Sequence, residues 1–165
     1  MGANVYWIEG PWSGRLAIVP RPRGGNWLED EVRSWRDHGL DEMVSLLTPD
    51  EVTEFELDQE ERWCRAHAIR FRSFAIPDRG VPASVDEFTH LVQEIERALN
   101  AGKKIGLHCR QGIGRSALVA AVLLVSAGDA PETVWESIGK ARGCPVPDTI
   151  EQRNWVKGFA KAHQT

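Results

Sequence analysis

Cysteine is scarce: three residues, Cys64, Cys109 and Cys144, in a chain of 165. An odd number at wide spacing argues against a disulfide framework or a Cys-x-x-Cys metal site. It suits a reducing cytoplasm, where a lone thiol survives as a reagent. Long apolar runs are missing, since no stretch reaches the roughly 18 residues a membrane-spanning helix needs. A basic excess is missing too: 20 Lys and Arg stand against 24 Asp and Glu, a net charge of −4. That balance argues against bulk binding of nucleic acid or an anionic membrane, and leaves room for a local basic site. The opening MGANVYWIEGPW lacks the charged and apolar regions of a secretory leader, so none is expected. Repeats, low-complexity tracts and linkers are absent, and the length suits one domain over residues 1–165 with one core.

Short apolar runs alternate with helical patterns, the signature of an α/β domain. NVYWIEG and RLAIVP read as strands around the turn GPWSG. NWLEDEVRSWRDHG reads as a helix opened by Asn26 and stopped by Gly39. EMVSLL suits a buried strand, and TPDEVTEFELDQEERWCRAHA a helical stretch with Thr48 as N-cap and Pro49 in its first turn. IRFRSFAI alternates as a strand does. SVDEFTHLVQEIERALNAG is an amphipathic helix with Ser84 and Glu87 as a capping box and Gly102 past its end. KKIGLHC is a strand, RSALVAAVLLVSAG a helix apolar on nearly every side, and two further helices follow, about 132–142 and 149–162. The expected fold is a central, largely parallel sheet of four to five strands flanked by helices.

Between the KKIGLHC strand and the apolar helix lies HCRQGIGRS, residues 108–116. In an α/β sheet a ligand sits at such a place, at a strand's carboxyl end and a helix's amino end. A helix amino terminus offers convergent N–H donors and a favourable dipole to a phosphate. Gly112 and Gly114 allow the backbone angles that turn successive N–H groups inward. Arg115 adds a planar fork able to hold two oxygens. Cys109 sits at the base of this cradle, and the potential that attracts phosphate also stabilises its thiolate. A lone cysteine is usually a small buried hydrophobe, and two glycines usually mark a turn. The whole constellation between an apolar strand and an apolar helix favours a nucleophile in an anion cradle.

His-Cys-x5-Arg-Ser resembles the signature of the cysteine-dependent protein tyrosine and dual-specificity phosphatases. VSLLT, IPDRGVP, the signature and a Gln-bearing last helix together resemble the small dual-specificity type, in particular the cyclin-dependent-kinase-associated phosphatase group. The likeness covers about 44–156 and is looser over the first 40 residues. It implies that Cys109 attacks phosphorus while Arg115 and the loop residues Arg110, Gln111, Gly112, Ile113 and Gly114 hold the phosphate oxygens. Asp78, 31 residues before the cysteine, then protonates the leaving group, although Pro-Asp-Arg-Gly alone reads as a turn. Ser116 donates to the departing thiolate and His108 orders the loop. In PDTIEQRNWV the resemblance reads Gln-Thr-x-x-Gln, but here Asp148 stands first and Gln152 second. Gln152 as water-positioning residue competes with a solvent-facing glutamine, and Asp148 with a cap of the last helix.

The loop lacks the lysines of phosphoinositide phosphatases, which favours a phosphorylated protein side chain: phosphotyrosine, with phosphoserine and phosphothreonine open. Arg70, Arg72, Arg79 and Arg142 are candidates for a basic rim, against ordinary solvated arginines. The expected partners are a phosphorylated protein or peptide and phosphate or a similar oxyanion, with neither nucleic acid nor membrane. No metal or other cofactor is expected, and the oligomeric state is open, a monomer being the expectation. The alternatives are a phosphatase for phosphoinositides or other small esters, a sulfurtransferase of rhodanese type with a shorter loop, and a catalytically weak module that binds phosphoproteins.

Overall fold

The computed structural model describes residues 4–163. Its elements run β1 (Tyr6–Ile8), β2 (Arg15–Ile18), α1 (Leu28–Asp37), β3 (Glu42–Ser45), α2 (Pro49–Glu54), α3 (Glu60–Ala66), β4 (Arg70–Ser73), α4 (Val85–Asn100), β5 (Lys104–His108), α5 (Arg115–Ser126), α6 (Val134–Arg142) and α7 (Ile150–Ala162). The five strands form one sheet in the order β1-β2-β5-β3-β4. Only β1 runs antiparallel, on the edge beside β2. The expected largely parallel sheet is therefore present, at the upper end of its expected strand number.

Parallel strands must be covered on both faces, and alternate residues serve the two sides. Leu16 pairs with Ile105, and Leu107 with both Ile18 and Val44. These side chains join Phe88, Ile95 and the apolar body of α5 in one cluster, with α4, α6 and α7 around it. Met43 faces the other way and packs with Val32, Trp35, Leu40 and Cys64 beneath α1 and α3. Residues 115 to 124 of α5 are all buried, as expected of a helix apolar on nearly every side.

Three local readings are revised. Asn26 does not open α1; it lies in a 3-10 turn, Gly25–Trp27, and no side chain caps the helix that follows. Ser84 accepts from the Glu87 amide as expected, at 3.2 Å, which is half of a capping box. The stretch from Thr48 to Ala68 is two helices, not one. Glu56 takes φ of +54° and ends α2 without glycine or proline. Leu57 N–H turns back to Val52 O at 2.9 Å, burying Leu57 and setting Glu60 at the start of α3. Gly25 N–H bonds the Glu56 carbonyl at 3.0 Å, so a distant loop holds this break.

β5 lies between β2 and β3, and the connections that leave β5 and β3 go to helices on opposite faces. The crevice at the carboxyl ends of these two strands is the switch point where α/β sheets take ligands.

Candidate active site

β5 ends at His108, and the loop from Cys109 to Gly114 leads directly into α5. Gly112 takes φ of +73°, a left-handed conformation that glycine adopts freely. Arg142, from the end of α6, clasps the loop from outside. Its Nε donates to Gly112 O at 3.2 Å and its Nη2 to Gln111 O at 3.0 Å, while the guanidinium lies 4.3 Å from the Tyr6 ring centre. Two of the loop's carbonyls are thus engaged by Arg142.

The cleft is small, about 100 Å³, and is lined by Asp78, Arg79, Cys109, Arg110, Gln111, Arg115 and Asp148. Cys109 is 2% exposed. Arg115 is buried and almost fully engaged. Nη1 donates to Glu51 Oε1 at 2.6 Å and to Ile76 O at 2.8 Å, with Leu46 O at 3.4 Å; Nη2 donates to Glu51 Oε2 at 2.9 Å and to Asp78 Oδ1 at 3.2 Å. Burial alone would disfavour its charge, but the Glu51 hydrogen bonds and the fields of Cys109, Glu51 and Asp78 raise its pKa above the ordinary value. Glu51 answers in kind: burial pushes its carboxyl up, yet the bonds from Arg115 and from Thr48 outweigh this and hold it at about 2.

Glu51 is supplied by local chemistry. Thr48 caps α2, accepting from Glu51 N at 3.3 Å, while Thr48 N donates to Glu51 Oε1 at 3.0 Å. This reciprocal box fixes the carboxylate in the first turn of α2, against Arg115. Glu60, at the first turn of α3, is 2% exposed and sits 2.6 Å from His108 Nε2. His108 Nδ1 and the Ser116 hydroxyl are buried without a hydrogen-bond partner among the described residues. Neither Glu51 nor Glu60 figured in the sequence reading. Thr48-Pro49-Asp50-Glu51 has the capping-box spacing, which marks the position of Glu51 but not its partner; Glu60 leaves no local signal.

Asp78 lies in a turn closed by Gly80 N–H to Pro77 O at 2.8 Å, so the turn and the proposed acid loop are one object. Arg79 follows at φ of +58°. Gln152 is wholly buried rather than solvent-facing: its Oε1 accepts from Thr149 N at 3.2 Å and its Nε2 donates to Gly80 O at 3.0 Å. Thr149, not Asp148, caps α7. The supposed rim separates. Arg79 lines the cleft, beside the loop's own Arg110, and Arg142 holds the loop. Arg70 and Arg72 lie on β4 at the sheet edge, Arg72 bonded to Glu42 and Glu94. Cys64 lies in the core on the other face of the sheet; burial, with Glu60 and Glu61 adding to it, pushes its thiol far above the ordinary value.

A central parallel strand, a loop from cysteine to arginine and a buried helix, with an aspartate loop facing them, define the class of the cysteine-dependent tyrosine and dual-specificity phosphatases. A family model described as "Polymorphic toxin system, DSP-PTPase phosphatase" matches residues 18–129, and the chain belongs to that family. It is similar to cyclin-dependent kinase inhibitor 3 of Rattus norvegicus, 25% identical over 134 residues, which are 80% of this chain and 63% of that protein. The chain thus spans less than two thirds of that relative's length. Among solved structures, kinase-associated phosphatase with its catalytic-site cysteine replaced by serine superposes with a TM-score of 0.90 at 21% identity, covering 100% of this chain and 99% of that one. The active form of Tk-PTP gives a TM-score of 0.75 at 26% identity over 95% of this chain and 96% of the other.

Proposed function

We propose that this chain is a phosphoprotein phosphatase that hydrolyses phosphotyrosine, with phosphoserine and phosphothreonine as further substrates, through a phosphocysteine intermediate on Cys109. The observation that carries it is the buried Arg115, charged and braced by Glu51, in the same cleft as Cys109 and Asp78. Glu51 stabilises the buried guanidinium, and the bond to half-exposed Asp78 is the one an incoming oxyanion can replace.

The bonds of Arg115 order the steps. Glu51 and the two carbonyls occupy most of its N–H groups, leaving Nε–H and the Nη2–H that Asp78 accepts. An incoming phosphate takes both and displaces Asp78, whose half-exposed side chain is then free to reach the ester oxygen. The Cys109 thiolate attacks phosphorus, the P–O bond breaks, and Asp78 delivers a proton to the departing oxygen. Ser116 and His108, with their unpartnered polar atoms, steady the thiolate and the loop. Water then attacks the phosphocysteine, its proton passes to the now deprotonated Asp78, the P–S bond breaks, and phosphate leaves with the thiolate and the protonated Asp78 restored. Arg115 and the loop amides neutralise the equatorial oxygens throughout, so no metal is called on.

A protein ester suits the cleft better than an inositol lipid. The loop carries no lysine, the cleft is only about 100 Å³, and Arg110 is drawn away to Glu54 at 3.1 Å. The reading also places the protein in the reducing cytoplasm, where Cys109 stays a thiol. The test is phosphate release from aryl phosphates and a phosphopeptide panel by wild type, Cys109→Ser and Asp78→Asn. Wild type should turn over and Cys109→Ser should not. Asp78→Asn should slow about 10²–10⁴-fold, most on poor leaving groups. Phosphopeptide binding without release would support the binding-module alternative instead.

A further inference from the structure

β4 is an outer strand of the sheet, paired on one side only, with β3. Arg70 N, Phe74 N and Ile76 N donate inward, to Asp41 O, Ser45 O and Leu46 O. Backbone groups alternate between the two edges of a strand. Phe71 and Ser73 therefore turn their N–H and C=O groups outward, to no partner among the described residues. An edge of this kind is a template for another strand, and charged side chains commonly guard it. Arg72 stands in the guarding position, but Glu42 at 3.3 Å and Glu94 of α4 engage its guanidinium within the chain.

Between β4 and α4 lie two hollows, of about 320 and 420 Å³, that share Arg72 and Glu94. α4 runs back against β4, so the two ends of the groove differ in charge. Arg97 and Lys103 stand beside Arg70 at the strand's amino end, and Glu87 stands beside Phe74 at its carboxyl end. Arg70, Arg97, Lys103 and Glu87 are exposed, and their charged groups have no partner among the described residues. We infer that the occupant of this edge is a second copy of the chain, β4 against β4 in antiparallel register about a two-fold axis through Ser73. Such an axis sets a surface against its own reverse. A groove basic at one end and acidic at the other is complementary to itself in that arrangement. Ser73 exchanges its backbone bonds with the partner's Ser73, and Arg72 lies opposite the partner's Phe74. The Arg70, Arg97 and Lys103 end of each copy meets the Glu87 end of the other. An acidic peptide would answer the basic end alone and leave Glu87 unmatched. This departs from the monomer expected of the sequence. It uses no residue of the cleft, and so stands or falls apart from the phosphatase reading.

Sedimentation equilibrium and amide hydrogen exchange on the whole chain at neutral pH test it. Wild type should rise to twice the mass of one chain as its concentration increases, and exchange at the Ser73 amide should slow in step. Arg97→Glu should raise the dimer dissociation constant about tenfold, and Glu87→Arg should do the same, because each sets like charges face to face. The two substitutions together exchange the charges and should bring the constant back to within about threefold of wild type. A mass of one chain up to about 1 mM would overturn the inference. So would a dimer whose Ser73 amide stays unprotected, or one that neither charge reversal weakens, since its contact would lie elsewhere. A chain that stays monomeric and binds poly-glutamate through Arg97 would give the edge to an acidic partner, and overturn it equally.

Discussion

Replacing Glu51 by Gln leaves the size of the side chain almost unchanged and removes the buried counter-charge of Arg115, leaving the half-exposed Asp78. Two routes give the cost. A carboxyl held at about 2 rather than 4.5 corresponds to about 3 kcal/mol of stabilisation at neutral pH. Removing one partner of a buried ion pair costs about 3–5 kcal/mol, and the lower end applies because Leu46 O and Ile76 O still accept from Arg115. At about 2–4 °C per kcal/mol, Glu51→Gln should melt about 6–12 °C below wild type. The sign with pH follows from the depressed carboxyl. Its contribution is complete above pH 4.5 and is lost as pH falls toward about 2. Urea unfolding followed by tryptophan fluorescence at a series of pH values should therefore show the two proteins converging on acidification. A variant within about 1 kcal/mol of wild type at neutral pH would refute the reasoning. So would a gap that stays constant to the acid end.

Arg142→Ala removes two bonds to loop carbonyls and should raise the inhibition constant of inorganic phosphate about tenfold, or about 1.4 kcal/mol; an unchanged constant would show that the loop holds its own shape. Asp78→Asn should bind inorganic phosphate several-fold more tightly than wild type, because the carboxylate that competes for Arg115 Nη2 has lost its charge; titration calorimetry reads the difference, and weaker binding contradicts the displacement step. Turnover should survive EDTA, since Arg115 and the backbone donors carry the phosphoryl charge; loss on chelation with recovery on adding a divalent metal would overturn the mechanism.

Much of the fold was legible because its signals are local. Apolar runs marked β3 and β5, the buried character of α5 showed in its composition, and Thr48, Ser84 and Gly102 stood at or just beyond helix ends. The cleft was legible for the same reason, since the loop, its strand and its helix are contiguous in sequence. What escaped depends on contacts between distant segments. The break after α2 is held by Gly25 on Glu56, and no residue within that stretch announces it. Glu51 and Glu60 reach Arg115 and His108 only because β3 lies beside β5, pairings 64 and 48 residues apart. Whether Gln152 faces solvent or the site stayed open in the sequence because its partner, Gly80, is 72 residues away.

The central claim is that phosphate passes through the Cys109 sulfur. The most direct measurement quenches an aryl-phosphate reaction in acid, digests the protein and locates the phosphate by peptide mass. The account predicts phosphate on the peptide containing Cys109 in wild type, with none in Cys109→Ser and no turnover there. Phosphate on any other residue, or turnover that persists in Cys109→Ser, would contradict it.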